Sequence, residues 1–177
     1  VSKTAEALKS NDVNVIYEGA FIFEETLVRT DVLFKNKDGW DLLEAKATSK
    51  IEEKKGVYKA EYLLDVAIQT FILKQCGVNL KDVKLIYLNK NFIYNGNKEY
   101  TDLTIEEKVT DEIQLKINEI PNYIKTLELL TNKNTLSPNV EMGDHCKKPH
   151  KCDYENDCKA ILPKTDVTPY TILPYVS

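Results

Sequence analysis

Two acidic side chains and a lysine fall where a β-hairpin would bring them together. Asp31 and the triplet Glu44-Ala45-Lys46 lie on either side of residues 36–39, an Asn-Lys-Asp-Gly segment whose Asp-Gly ending is a strong hairpin signal. If Lys35 faces Trp40 across that turn, Asp31 faces Glu44, with Cβ atoms roughly 4.5–5.5 Å apart. Lys46 then projects from the same face as Glu44, because side chains alternate along a strand.

Two acids and one amine on one face of a sheet suit the metal-assisted hydrolysis of a phosphodiester. A divalent cation would relieve the repulsion between the carboxylates, polarise a phosphate and lower the pKa of a bound water. The lysine would orient that water or stabilise the charge that grows on the phosphate. The alternative is a solvated strand with two acids on its wet face, and a slip of one residue in register would separate them.

Chemistry of this kind is predicted for one of three similar triplets in the chain. The segments Glu52-Glu53-Lys54 and Glu106-Glu107-Lys108 have the same Glu-x-Lys spacing as the Glu44 copy. The Glu44 copy differs because it ends an apolar strand and has an aspartate across the turn.

Periodicity and turn signals predict the elements that must position these residues. The order is αβββαβ followed by a long helical segment, which predicts an α/β fold with a mixed sheet and helices packed on it. Three regions follow from the composition: a core over 1–130, a cysteine-bearing segment over 131–160 and a Pro-rich tail or linker over 161–177. The predicted helices cover 4–10, 58–76 and 105–130, broken or kinked near Pro121; the predicted strands cover 14–23, 27–34, 40–47 and 83–88; residues 48–56 are predicted to form a loop.

Length and charge narrow the classes of protein that the chain can belong to. The 177 residues are 42% hydrophobic and 29% charged, which is typical of one globular domain with an appendage. The net charge of −4 excludes a uniformly basic protein that coats DNA, although a local basic cleft stays compatible with it. No apolar run approaches the roughly 18 residues that span a membrane, and there is no secretory signal, so a cytoplasmic location is expected.

The hairpin residues resemble the signature of the PD-(D/E)XK nuclease superfamily. In the following helix, Gln69 resembles the glutamine of the Gln-x-x-x-Tyr motif in the RecB-like branch, although Leu73 stands where that branch usually has Tyr. The αβββαβ order also resembles the restriction-endonuclease-like core. Five runs, VIYEGAF, VRTDVLF, WDLLEAKAT, DVAIQTFIL and GDHCKKPHKC, resemble an uncharacterised bacterial family of this branch, whose members often carry a second, RNase H-like domain.

The resemblance implies a deoxyribonuclease that uses Mg²⁺ or Mn²⁺ in DNA repair, processing or defence, and exonuclease action is expected. Its expected partner is DNA that is single-stranded or has a free end. The rival is a non-catalytic nucleic-acid-binding module, or a metal-stabilised interaction module, with the same fold. The implied roles are metal binding for Asp31 and Glu44, catalysis for Lys46, positioning of the lysine or DNA for Gln69, and support of the site for Asp65.

Glu18 is a further candidate for a metal ligand. It lies in the middle of a predicted strand between apolar neighbours, where a buried and unpaired carboxylate would be costly. The alternative is that Glu18 is exposed or pairs with Arg29.

The segment after the predicted site is rich in lysine and could contact phosphates without reading bases. A solvated loop is the alternative. Tyr58 and Tyr62 could stack on bases, or they could pack the helix against the core. The candidate phosphate-binding residues are Lys50, Lys54, Lys55 and Lys59.

Three cysteines recur at regular spacing, as Cys146-x5-Cys152-x5-Cys158. Thiolates bind zinc or iron–sulfur clusters. The resemblance extends to the CRISPR-associated exonucleases, which implies a 4Fe–4S cluster with a fourth cysteine from an upstream segment. Zinc bound by the three cysteines and His150 is an alternative, as are free thiols. Cys76, at the end of an apolar helix, is predicted to lie in the core.

Overall fold

A computed structural model describes residues 1–131, 141–148 and 150–161 of the chain. The chain divides into two compact units, Val1–Thr131 and Asn132–Ser177. Apart from residue 161, the tail predicted over 161–177 lies outside the described residues.

The first unit combines helices with a mixed sheet, as the sequence predicts at the level of fold class. Its strands are β1 (Val15–Phe23), β2 (Thr26–Lys35), β3 (Trp40–Lys46), β4 (Glu52–Lys54), β5 (Val57–Tyr58), β6 (Leu80–Leu88) and β7 (Thr104–Lys108). Its helices are α1 (Ser2–Lys9), α2 (Ala60–Gln75) and α3 (Gln114–Thr131).

Five strands form the main sheet in the order β1-β2-β3-β6-β7, and β4 pairs with β5 separately. The three consecutive strands β1, β2 and β3 are antiparallel, whereas β6 returns parallel to β3 after the crossover through α2. Because β3 and β6 are parallel, their carboxyl ends lie at the same edge of the sheet. The segments that leave both strands therefore start from that edge.

The hairpin between β2 and β3 has the predicted register. Val32 pairs with Leu43, and Lys35 pairs with Trp40. One step beyond the last paired residues, this register sets Asp31 opposite Glu44.

In β1 and β2 the alternation of buried side chains slips by one residue at the level of Asp31. In β1 the exposed pair Tyr17 and Glu18 interrupts the pattern, and in β2 the half-buried pair Asp31 and Val32 does the same. The strict period-two alternation that the sequence predicts for residues 14–23 is therefore wrong at this point.

Helix α2 packs on the sheet and contributes several of the fully buried side chains of the core. Val66, Ile72 and Leu73 are fully buried against a sheet layer that includes Leu42 and Leu85. Burial of each such side chain contributes roughly 1.5–3 kcal/mol. This packing fixes the rotation of α2 about its axis and therefore the direction of its polar side chains.

The structure corrects three predicted elements. Residues 104–108 form strand β7 and not helix, because Leu85 and Ile86 of β6 pair with the Glu107 and Glu106 backbones. Helix α3 begins at Gln114 and continues through Pro121. The segment predicted as a loop contains β4, and α2 begins after the short strand β5.

In the second unit the described residues form a 3-10 turn at Asp144–Cys146 and a short helix, α4, at Glu155–Ile161. None of the helices among the described residues combines the length and apolar character that crossing a membrane requires.

Candidate functional site

The site begins where β2 and β3 diverge. The backbone N–H of Ala45 donates a hydrogen bond to Oδ2 of Asp31 at 2.8 Å. Because Glu44 and Lys46 flank Ala45 in β3, this bond holds the Asp31 carboxylate beside the Glu-x-Lys triplet. Within the described residues, the other oxygen of Asp31 has no hydrogen-bond partner, so it is free to accept a ligand.

Glu44 is a buried carboxylate with two donors. It is 8% exposed, because it lies on the face of β3 that α2 covers. Nζ of Lys46 donates to its Oε1 at 3.0 Å, and Nε2 of Gln69 donates to its Oε2 at 3.0 Å. Both carboxylate oxygens are therefore satisfied from inside the protein, as a buried charge requires.

Lys46 bridges the strand and the helix. Besides Glu44, its ammonium donates to Oδ2 of Asp65 on α2 and lies 5.5 Å from the centre of the Tyr62 ring. These contacts are in the range of ion pairing and cation–π attraction. The side chain is thus held in one place by β3 and α2 together.

One face of α2 supplies the helical part of the site. Tyr62, Asp65 and Gln69 are three and four residues apart, so their side chains share that face. Nε2 of Gln69 donates to Oδ1 of Asp65 at 3.1 Å as well as to Glu44. Its carbonyl oxygen is one of two buried side-chain atoms that lack a partner in the described part of the chain. The amide therefore links the two carboxylates and keeps one acceptor unused.

Burial and charge set the protonation of the two central groups. Burial raises the pKa of Glu44, and the hydrogen bonds from Gln69 and Lys46 only partly offset that effect. Burial alone would lower the pKa of Lys46, but the hydrogen bonds to Asp65 and Glu44 outweigh it and raise the pKa. Lys46 is therefore a cation at neutral pH and cannot serve as a general base there.

Replacing Gln69 by leucine tests the role of the amide. The Gln69→Leu change removes two donors and leaves the buried Glu44 with Lys46 as its partner. We expect the free energy of unfolding, measured by urea denaturation, to fall by about 1–3 kcal/mol. The matched control is Gln75→Leu, an exposed position in the last turn of the same helix. A loss no greater than that of the control would contradict the assigned role.

Glu18 lies next to Asp31 but its side chain has another partner. Its neighbours Tyr17 and Gly19 pair with the residues on either side of Asp31, so Glu18 is opposite Asp31 in the sheet. Its backbone has a φ of 53°, which non-glycine residues rarely adopt. The carboxylate forms an exposed ion pair with Arg29 at 2.7 Å. This is the alternative that the sequence left open, and metal binding by Glu18 stays a prediction.

The four predicted phosphate-binding lysines do not share one environment. Lys54 and Lys55 are exposed near the β4–β5 turn, while Nζ of Lys50 donates to the Glu53 carbonyl at 3.1 Å. Lys59 is half-buried, with its ammonium 5.0 Å from the Tyr62 ring centre. Three of the lysines are thus available to a ligand, and the fourth is held on the aromatic ring that also contacts Lys46.

Both tyrosines named from the sequence pack within the fold. The Tyr58 hydroxyl donates to Glu107 on β7 at 3.0 Å, and burial together with this bond raises its pKa to about 12. The role of Tyr62 as the ring beside Lys46 was not predicted. Its spacing of three residues from Asp65 is the signal that could have indicated it.

The cysteines differ in exposure, and none of them forms a disulfide among the described residues. Cys146 is buried, while Cys152 and Cys158 are half-buried. Across the described ranges, no three His, Cys, Asp or Glu side chains are grouped so that they could hold a metal ion. The Cys146, Cys152 and Cys158 ligand set, for iron–sulfur or zinc, therefore stays a prediction. The core location predicted for Cys76 is wrong, because this residue is exposed and its thiol donates to the Ile22 carbonyl at 3.4 Å.

Comparison with known proteins gives no family for this chain. No protein-family model and no curated protein matches it. Among solved structures, the crystal structure of SSO0001 is similar at a TM-score of 0.39 and 16% sequence identity, over 89% of this chain and 66% of that one. This chain thus spans just under two thirds of the length of SSO0001. Membership of the PD-(D/E)XK superfamily stays a prediction from the motifs.

Proposed function

We propose that this protein is a metal-dependent nuclease of the PD-(D/E)XK type that hydrolyses phosphodiester bonds in DNA. The observation that supports this best is the cluster formed by Asp31, Glu44, Lys46 and Gln69. Hydrogen bonds join Glu44, Lys46 and Gln69 at the carboxyl edge of β3, and the backbone N–H of Ala45 holds the Asp31 carboxylate beside them. Such a concentration of buried, interacting charges is typical of catalytic sites.

Asp31 and Glu44 would hold the cation in this proposal. Their oxygen donors suit Mg²⁺ or Mn²⁺, and Mg²⁺ often uses only one or two protein carboxylates because it keeps several waters. The half-buried Asp31, with an oxygen free of partners among the described residues, is accessible to such an ion. When bound, the cation would polarise the phosphate and activate a water for attack.

Lys46 supplies the positive charge that the reaction needs on the protein side. Its ammonium is fixed by Glu44 and Asp65, and its raised pKa keeps it protonated. A fixed cation can stabilise the negative charge that grows on the phosphate oxygens, without rearranging during the reaction. Gln69 orients Glu44 and Asp65, so it is a positioning residue.

The exposed lysines would guide the substrate to this edge. Lys50, Lys54 and Lys55 follow β3 directly, so they lie on the segment that leaves the site. Lysines at such places neutralise phosphates and fix the direction of a strand without reading its sequence.

A cleavage assay tests the proposal. End-labelled single-stranded and double-stranded DNA are incubated with the protein in Mg²⁺, in Mn²⁺ or in EDTA. We expect cleavage only with the metals, and a loss of about 10²-fold or more in Asp31→Asn. The matched control is Asp38→Asn, an exposed position in the same hairpin, which should cleave like the wild type.

Binding of the metal alone gives a second measurement. Calorimetric titration with Mn²⁺ should show heat of binding for the wild type and for Asp38→Asn, and none for Asp31→Asn. Wild-type protein that binds no Mn²⁺ and leaves every DNA substrate intact would overturn the proposal.

A non-catalytic nucleic-acid-binding module is the second candidate. Two observations favour it. Lys46 forms an ion pair with Asp65, and among the described residues no three His, Cys, Asp or Glu side chains are grouped so that they could hold a metal ion. Its sign in the same assay would be DNA binding that is equal in metal and in EDTA, without cleavage.

A further inference from the structure

We infer that the loop between β6 and β7 is a stacking platform for unpaired nucleobases of a single-stranded nucleic acid. The inference rests on the proposed function for the nature of the ligand, and it concerns a separate group of residues, Tyr94 and Tyr100. Their rings are stacked, with centroids 5.3 Å apart and planes at 6°. The two residues are 47% and 58% exposed, so the stack is open to solvent.

The loop begins at the edge of the sheet where the candidate site lies. Residues 89–103 connect β6 to β7, and β6 ends beside β3 because the two strands are parallel. The backbone N–H of Leu88 donates to the Thr48 carbonyl at 2.8 Å, which ties the start of this loop to the start of the lysine segment. The aromatic pair and the lysines therefore leave the sheet from the same edge.

Internal hydrogen bonds hold the aromatic pair in place. The hydroxyl of Tyr94 accepts from the backbone N–H of Lys98 at 3.2 Å, and the Tyr100 carbonyl accepts from the N–H of Leu103 at 3.0 Å. Lys98 and Asp102, on either side of Tyr100, adopt left-handed backbone conformations. A ring that is already ordered loses little conformational entropy when a ligand stacks on it.

The surroundings of the stack suit a nucleobase better than an apolar protein surface. A pocket of about 370 Å³ lies in the same loop. Its lining combines the polar side chains of Asn89, Asn91, Asn95 and Thr101 with Phe92, Ile93 and the acidic residues Glu99 and Asp102. Amide side chains offer both donors and acceptors, which the edges of bases require. Proteins that bind single strands combine such aromatic platforms with lysines that follow the phosphates.

Binding without cleavage tests the inference directly. Fluorescence anisotropy in EDTA would compare three dye-labelled ligands of equal length: oligothymidylate, a strand with abasic sites in place of the bases, and a blunt duplex. We expect the wild-type protein to bind oligothymidylate about tenfold or more tighter than the abasic strand or the duplex. Since this comparison uses one protein, it does not depend on the folding of a variant.

The double variant Tyr94→Ala, Tyr100→Ala assigns the effect to the loop. It should bind oligothymidylate about as weakly as the wild type binds the abasic strand. The matched control is Tyr123→Ala, an exposed tyrosine on α3, which should keep the preference for bases. Equal affinity of the wild type for oligothymidylate and the abasic strand, no binding to any strand, or an undiminished preference in the double variant would overturn the inference.

The proposed nuclease activity fails independently of this result. If the protein prefers base-bearing strands in EDTA but never cleaves them with metal, the stacking platform is supported and the nuclease activity is contradicted. If the protein cleaves DNA with metal but shows no preference for base-bearing strands in EDTA, the nuclease activity is supported and the stacking platform is contradicted.

Discussion

Replacing Lys46 by alanine is expected to lower metal-dependent DNA cleavage by about 10²- to 10³-fold, the usual cost of removing a charge that stabilises the transition state. The lysine is 16% exposed in its side chain and contacts Glu44, Asp65 and the Tyr62 ring. Its ammonium is therefore already oriented before any substrate binds. The effect should appear in kcat, because the charge is needed most where negative charge grows on the phosphate.

Lys84 provides a matched control for Lys46. It lies on β6 and, like Lys46, its ammonium has two carboxylate partners, Asp41 at 3.6 Å and Glu106 at 3.4 Å. The Lys84→Ala variant removes a similar pair of contacts without touching the candidate site, so cleavage should persist. If circular dichroism shows that Lys46→Ala is folded and this variant cleaves DNA as fast as Lys84→Ala does, Lys46 has no catalytic role.

Replacing Glu44 by glutamine should change two properties, the rate of DNA cleavage and the pH dependence of stability. The variant keeps the shape of the side chain but loses a metal-binding oxygen, so cleavage should fall by about 10²-fold or more. The same change removes a buried titrating group. Its stability should therefore respond to pH differently from that of the wild type.

The direction of the pH effect follows from the raised pKa of Glu44. Between its ordinary pKa of 4.5 and the raised value, the native state holds a proton that the unfolded state has released. Stability conferred by the neutral group is thus fully present below 4.5 and is lost as the pH rises through the raised pKa. The free energy of unfolding of Glu44→Gln, relative to the wild type, should accordingly increase as the pH rises from 4.5 through the raised pKa.

Urea denaturation across that pH range measures the effect. A constant offset, from the hydrogen bond that glutamine cannot make, leaves the pH slope unchanged. The Glu106→Gln variant, at an exposed position on β7, is the control for the loss of a glutamate carboxylate. Parallel curves for Glu44→Gln and the wild type would mean that Glu44 does not titrate as its burial indicates.

Local sequence rules were sufficient for the hairpin half of the site. The Asp-Gly turn and the alternation of side chains along Trp40, Leu42 and Glu44 determine which strand face is buried and which residues pair. The register they predict is the register observed between Val32 and Leu43. Turn geometry and side-chain alternation act over a few residues, so no distant contact can change them easily.

Tertiary packing determined features of the fold that local sequence rules did not predict. Residues 104–108 contain glutamates and a lysine that favour a helix, yet pairing with β6 makes them a strand, since cross-strand contacts outweigh weak local preference. The slip in alternation at Glu18 and Asp31 occurs where β1 and β2 pair, so it involves residues that are distant in the sequence. Neither feature has a signal within a short window of sequence.

The packing of α2 shows most clearly what the sequence determined and what the tertiary structure decided. The sequence alone predicts that Asp65 and Gln69 share one face of the helix, and it also predicts the apolar face that includes Val66 and Leu73. Only the packing of that face against the sheet brings Gln69 within 3.0 Å of Glu44 and sets Asp65 against Lys46. The sequence by itself determined which groups could form the site, whereas long-range burial of apolar surface decided that they meet, because it alone fixes the position of α2 over β3.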